Sequence, residues 1–117
     1  MKTTCIKKGI LSGFEYRILH TRGRHYCAYV RVPRSHDLYM ESYQYLNSPD
    51  VNGDLTYSGS LQVKGAWFLG WDYAHSTDLI QGFDTFRKPK HIEFMRDISK
   101  CVLWLGRCWF NGKTEIT

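Results

Sequence analysis

Phe14, Tyr16 and Ile18 alternate with Glu15 and Arg17, and after Thr21-Arg22-Gly23-Arg24 the run His25-Tyr26-Cys27-Ala28-Tyr29-Val30-Arg31-Val32 alternates again up to Pro33. A period of two belongs to strands with one buried face, so these runs and the glycine-containing turn between them predict a β-hairpin. Dense turn signals follow at Asn47-Ser48-Pro49-Asp50 and at Asn52-Gly53-Asp54. The β-prone Leu55-Thr56-Tyr57 and the apolar run Ala66-Trp67-Phe68-Leu69-Gly70-Trp71 predict two further strands, joined around Gly59 and Gly65. The stretch from Leu38 to Leu46, with Tyr39, Tyr43 and Tyr45, fits either a short helical turn or irregular packing.

From His91 to Cys108 the period changes. Phe94, Ile98, Cys101, Val102, Leu105 and Cys108 recur at steps of three and four, while Glu93, Arg96, Asp97, Lys100 and Arg107 occupy the opposite side. That is the pattern of an amphipathic helix laid on a sheet. Pro89 suits its first turn and Asn111-Gly112 its stop. No repeat, linker or low-complexity tract interrupts the chain, so residues 1–117 read as a single domain of the α+β class: a small antiparallel sheet with one long C-terminal amphipathic helix packed across it.

A length of 117 residues excludes multi-domain enzymes and repeat arrays. With 43% apolar residues, among them 4 Trp, 8 Tyr and 6 Phe, the chain can fill a core without a metal or disulfide staple. The net charge of +5 favours an anionic partner. The opening residues hold no apolar run of signal-peptide length and no later segment has transmembrane length, so neither export nor a membrane partner is expected. Cys5, Cys27, Cys101 and Cys108 are then expected as reduced thiols in a cytosol. None forms a Cys-x-x-Cys pair, and the step from Cys101 to Cys108 fits one helix face better than half a zinc site, so no metal or cofactor is assigned. Whether those two cysteines face core or a subunit interface stays open.

The densest polar signal is Trp71-Asp72-Tyr73-Ala74-His75-Ser76-Thr77-Asp78, where Asp72, His75 and Asp78 follow an apolar strand at steps of three. If the chain turns helically there, carboxylates and imidazole share a face and can orient a general base or hold a metal. Equally, Asp72 or Ser76 caps a short helix and His75 pairs with a neighbouring carboxylate as plain structure. Val51-Asn52-Gly53-Asp54-Leu55-Thr56-Tyr57-Ser58-Gly59 has the glycines of a phosphate-cradling loop, but it is first of all a turn. Arg17, Arg22, Arg24, Arg31 and Arg34 gather at the hairpin, interleaved with Tyr16, Tyr26 and Tyr29, and Arg87, Lys88 and Lys90 precede the helix. Arginine forks suit phosphate and tyrosine faces suit a base; the competing reading is the solvated face of a strand. Long nucleic acid is disfavoured, since the zinc-ligand and aromatic strand motifs of its common readers are missing. His25 and His36 flank the hairpin, and each alone reads as structural. No nucleophile motif is present, which disfavours covalent catalysis.

Three segments in order resemble the shared pattern of a group of small, mostly uncharacterised bacteriophage and prophage proteins: Gly-His-Arg-x-Gly-Tyr-Val-x-Val-Pro-x-x-His-Pro-Leu-Tyr, Val-His-Gly-Gly-Leu-Thr-Tyr-Ser and Gly-Phe-Asp-x-Ala-His-x-x-Asp. They stand here as His25 to Tyr39, Val51 to Ser58 and Gly70 to Asp78, so that the resemblance spans roughly residues 23 to 78. His25, His36, Tyr57, Asp72, His75 and Asp78 match its polar positions. Asn52 replaces a histidine of the pattern, Asp54 a glycine, Tyr26 an arginine and Asp37 a proline, and loss of that histidine tilts the reading from catalysis toward binding.

The resemblance implies a phage accessory protein acting against host defence in the host cell cytoplasm, usually as a homo-oligomer. The expectation is a protein that sequesters a small anionic nucleotide immune signal of the cyclic ADP-ribose or cyclic oligonucleotide type. Asp72, His75 and Asp78 would meet ribose or base edges, Arg24 and Arg31 phosphate, and Tyr57 and Trp71 the base, with His25, His36, Asp54 and Thr56 completing the ligand-binding set. One alternative is a nucleotide hydrolase or phosphodiesterase with His75 and Asp72 as base or metal ligands. The other is an inhibitor docking on a host defence protein complex such as a CRISPR effector. A pocket of the first two kinds requires His25, His36, Tyr57, Asp72 and His75 to converge on one cleft.

Overall fold

The computed structural model describes residues 3–21, 25–75, 78–80 and 86–108. Strands β1 (Thr3–Leu11), β2 (Phe14–Thr21), β3 (His25–Arg31), β4 (Tyr57–Gly59) and β5 (Phe68–Asp72) form one antiparallel sheet in the order β1-β2-β3-β5-β4. Helix α1 (His91–Arg107) lies across one face of it. The α+β architecture of the sequence reading is therefore the architecture of the protein.

The expected hairpin is β2 and β3, in register from Tyr16 opposite Val30 to Thr21 opposite His25. Phe14, Tyr16 and Ile18 are buried on the helix side, as the alternation requires. Strand β1 has no counterpart in the sequence reading. Its first six residues are exposed, so a backbone ladder to β2 rather than an apolar face holds it, and Lys7-Lys8-Gly9 blurs any alternation. The local signal was the Ser12-Gly13 pair, whose φ values of 49° and 86° are those of a tight two-residue hairpin turn.

Beyond β3, the segment from Leu38 to Leu46 contains one turn of 3₁₀ helix, Tyr43–Tyr45, entered through Ser42, whose hydroxyl accepts the Gln44 N–H at 3.3 Å. Antiparallel pairing then sets Ala28 opposite Trp71 and Val30 opposite Leu69. Against this floor α1 buries Phe94, Ile98, Cys101, Val102 and Leu105, five of the six positions its period marks out; Cys108, the sixth, is the half-buried C-cap. Cys101 is thus core. The expected stop at Asn111-Gly112 lies outside the described residues. At the other end the Arg87 guanidinium forks onto Glu93 at 3.0 and 2.7 Å, and the same carboxylate accepts the Lys90 N–H at 3.2 Å, fixing the entry to the helix. No helix is long and apolar enough to cross a membrane among the described residues.

Candidate functional site

β5 ends at Asp72, and Asp72, His75 and Asp78 lie against the 50–56 loop. The Asp72 carboxylate is the first clasp: Oδ1 accepts the Ala74 N–H at 3.1 Å and Oδ2 accepts the Thr56 hydroxyl at 3.3 Å. Asp78, only 1% exposed, is the second. Its Oδ2 accepts the His75 N–H and an Asn52 Nδ2–H, each at 3.0 Å, and its Oδ1 lies 3.7 Å from Arg87. A buried carboxylate is tolerated only with such donors and a nearby cation. Asn52 also donates to the Asp72 carbonyl at 3.2 Å, so one amide joins the two loops.

The His75 ring packs on Gly53, occupying the space a β-carbon there would take, and Gly53 has a φ of 70°. Its Nε2 is buried and stands 3.3 Å from Asp72 Oδ1, within ion-pair reach but without the alignment of a hydrogen bond. The three-residue steps from Asp72 to Asp78 therefore do bring the groups together: the Asp72 carboxylate accepts the Ala74 N–H, and the Asp78 N–H donates to the His75 carbonyl at 2.7 Å, an i to i+3 bond of the 3₁₀ type. Asp54, exposed beside Gly53, has the left-handed φ of 64° typical of turn aspartates.

Behind these loops a hydrogen-bonded chain leads inward: Trp71 Nε1–H donates to the Tyr73 hydroxyl at 3.0 Å, which donates to Asp97 Oδ2 at 2.6 Å. Burial, then the hydrogen bond to Asp97, push the Tyr73 phenol far above its usual range. Burial also raises Asp97 above 3.8, against the opposing effect of the Tyr73 hydroxyl and the Asn52 backbone N–H. Tyr73 and Asp97 form the inner wall of a polar cleft of about 330 Å³, with Asp50, Asn52 and Gly53 on one side and Glu93, Arg96 and Lys100 on the other; Glu93 is already held by Arg87. Lys100 reaches Asp50 across the mouth at 3.2 Å. Among the described residues no group of three or more His, Cys, Asp or Glu could hold a metal ion.

The remaining predicted positions lie elsewhere. His36 is buried under the far end of α1, where Nδ1 accepts the Leu38 N–H at 3.0 Å; Nε2 therefore carries the hydrogen and donates to the Leu105 carbonyl at 2.8 Å. Tyr57 lies on the sheet face away from the helix, edge-on to Tyr29 at 5.3 Å, and its hydroxyl accepts the Leu61 N–H at 3.2 Å. Trp71 is 1% exposed and faces the helix, so no ligand base can stack on it. His25 is half-buried and meets the edge of Phe86 at 6.2 Å. Arg31 and Arg17 both pair with Glu15, at 3.2 and 2.8 Å, over the buried ring of Phe68. Burial opposes the Glu15 charge, yet the two guanidiniums outweigh it and hold the carboxyl below its ordinary 4.5. Arg31 pairs with Phe68 and Cys27 with Asp72, so about 13 Å of strand separates that arginine from the clasp. Arg24 lies outside the described residues.

The convergence that a shared pocket for His25, His36, Tyr57, Asp72 and His75 requires is thus absent; only Asp72 and His75 meet. What the fold assembles is Asn52, Gly53, Thr56, Asp72, His75 and Asp78, joined by Tyr73, Arg87 and Asp97. Tyr73 sits inside the motif and Asp97 on the polar helix face, but only the packing of α1 against the loops joins them. Comparison with family models, with curated proteins and with solved structures gives no match.

Proposed function

We propose that the protein binds and sequesters a small phosphorylated nucleotide in the cleft between the 50–53 loop and α1. The observation that carries this reading is the division of the cleft's polar groups. Tyr73, Asp97 and the backbone of Asn52 and Gly53 line one part, suited to ribose hydroxyls or a base edge, while Arg96 and Lys100 stand one helical turn apart on another, suited to phosphate. Cations for the phosphate come from the helix: Arg96 and Lys100 line the cleft, Lys100 pairing there with the exposed Asp50 at its mouth, whereas Arg31 does not line it and is held by the part-buried Glu15. Holding is favoured over cleaving because the Asp72 and Asp78 carboxylates are engaged in positioning the loops.

Calorimetry against cyclic ADP-ribose isomers and cyclic di- and trinucleotides tests it. Saturable heat with one of them is expected, weakened about tenfold or more by Arg96→Glu with Lys100→Glu and unchanged by Arg31→Ala. Absence of heat with every nucleotide, at protein concentrations well above micromolar, sinks the reading. A second reading, hydrolysis of the same signal, is favoured by one observation, the His75 Nε2 that lacks a hydrogen bond beside Asp72. Intact ligand released on denaturing the complex supports sequestration; a cleaved product supports hydrolysis.

A further inference from the structure

A second concavity opens where β1 passes the start of α1, on the other side of Phe94 from Tyr73. The β1 register shifts between Cys5, opposite Leu19, and Lys7, opposite Ile18, so Ile6 is the extra residue of a bulge. The bulge turns Ile6 and Lys7 toward the same groove, which regular alternation would forbid. The groove measures about 560 Å³. Ile6, Ile18, Pro89 and Phe94 form its apolar part. Around them stand Lys7, Lys88, Lys90 and His91, and no acidic side chain lines it among the described residues. Among the described residues Lys7 and Lys88 form no ion pair, and the nearby Glu93 is already held by Arg87.

We propose that this groove binds a small amphipathic anion, a medium-chain aliphatic carboxylate. An apolar trough within an unopposed cationic rim matches a hydrocarbon chain with one negative head, by hydrophobic contact along the chain and charge complementarity at its end. The apolar surface is mostly aliphatic: Phe94 is only 4% exposed, and the other ring of the lining, His91, is an exposed imidazole. The rim surrounds a hollow instead of crowning a protrusion, which suits a single inserted molecule better than a bilayer surface. The site is separate from the Asp97 cleft and stands independently of the nucleotide reading.

Titration of octanoate, nonanoate and decanoate into the ¹⁵N-labelled protein, below their micelle-forming concentrations, tests the assignment. Saturable shifts at residues 6–8, 18 and 88–91 are expected, with affinity rising about two- to fourfold per methylene. The exposed pair Lys7→Glu with Lys88→Glu weakens decanoate binding about tenfold, and Ile6→Asp weakens it while flattening the chain-length series. Decylamine, with the same chain and the opposite charge, leaves these residues unshifted. Equal binding of decylamine, retention of decanoate affinity in the folded double variant, or shifts centred elsewhere overturns the proposal. So does binding of phosphatidylglycerol vesicles without binding of free decanoate, which would assign the groove to a membrane surface.

Discussion

The His75 ring fills the place that a side chain on Gly53 would need. That contact, beside the Asn52 amide and the Thr56 hydroxyl, holds His75 against the 50–56 loop, and it makes glycine the residue for position 53 twice over, by φ and by space. Gly53→Ala is expected to destabilise the protein by about 1–3 kcal/mol in urea denaturation. In a His75→Ala background the same substitution costs less, because the steric component is gone and only the left-handed φ remains. Additive effects in that double-mutant cycle would contradict the contact.

Asn52 is the only side chain seen to donate to both the Asp72 carbonyl and the Asp78 carboxylate among the described residues. Asn52→Ala leaves a buried carboxylate short of a donor, at a cost of about 1–3 kcal/mol. Thr56→Ala, which removes one bond from a more exposed carboxylate, costs less than about 1 kcal/mol. Thermal melts of the two variants give the ordering, and a larger loss in Thr56→Ala contradicts it.

Tyr73→Phe keeps the ring in the core but removes the hydroxyl between Trp71 and Asp97. A loss of about 1–3 kcal/mol is expected, with a change in tryptophan emission as the Trp71 indole loses its acceptor. Ile98→Ala, a fully buried deletion on α1, costs about 2–5 kcal/mol and leaves nucleotide binding intact in the folded fraction. In Tyr73→Phe the folded fraction itself binds more weakly, because the hydroxyl lines the cleft.

Two carboxylates give opposite pH signatures. Glu15 is held below 4.5 in the folded protein, so its stabilisation is present above that value and lost as pH falls through the lower folded pKa. Asp97 is raised above 3.8, so the folded state binds its proton more tightly; that contribution is full below 3.8 and lost as pH rises through the higher folded pKa. Urea midpoints between about pH 3 and pH 7 should show Glu15→Gln flattening the acid loss of stability and Asp97→Asn removing a gain on acidification. Identical pH profiles for wild type and either variant would contradict the assignment for that residue.

The strands and helix that could be read from the chain are those whose own periodicity reports burial. β2 and β3 alternate, and α1 repeats at three and four, because each has one face in the core and one in water. β1 escaped because an exposed edge strand is held by its backbone ladder, and backbone hydrogen bonds leave no pattern in side chains. The clustering of Asp72, His75 and Asp78 was also legible, since all three lie within seven residues of chain and their contacts are local.

The partners of that cluster were not. Sequence alone fixed which residues carry charge, which faces bury and where the turns fall, because those depend on neighbours a few positions away. Tertiary structure decided that Arg31 is held by Glu15, that His36 ties a turn to the Leu105 carbonyl, and that Trp71 is core. It also brought Asp97 to Tyr73 and Lys88 to Lys7 across the fold. Which charges are already compensated, and which still face a cavity, depends on distances between residues far apart in the chain, and only the packing of α1 on the sheet sets those distances.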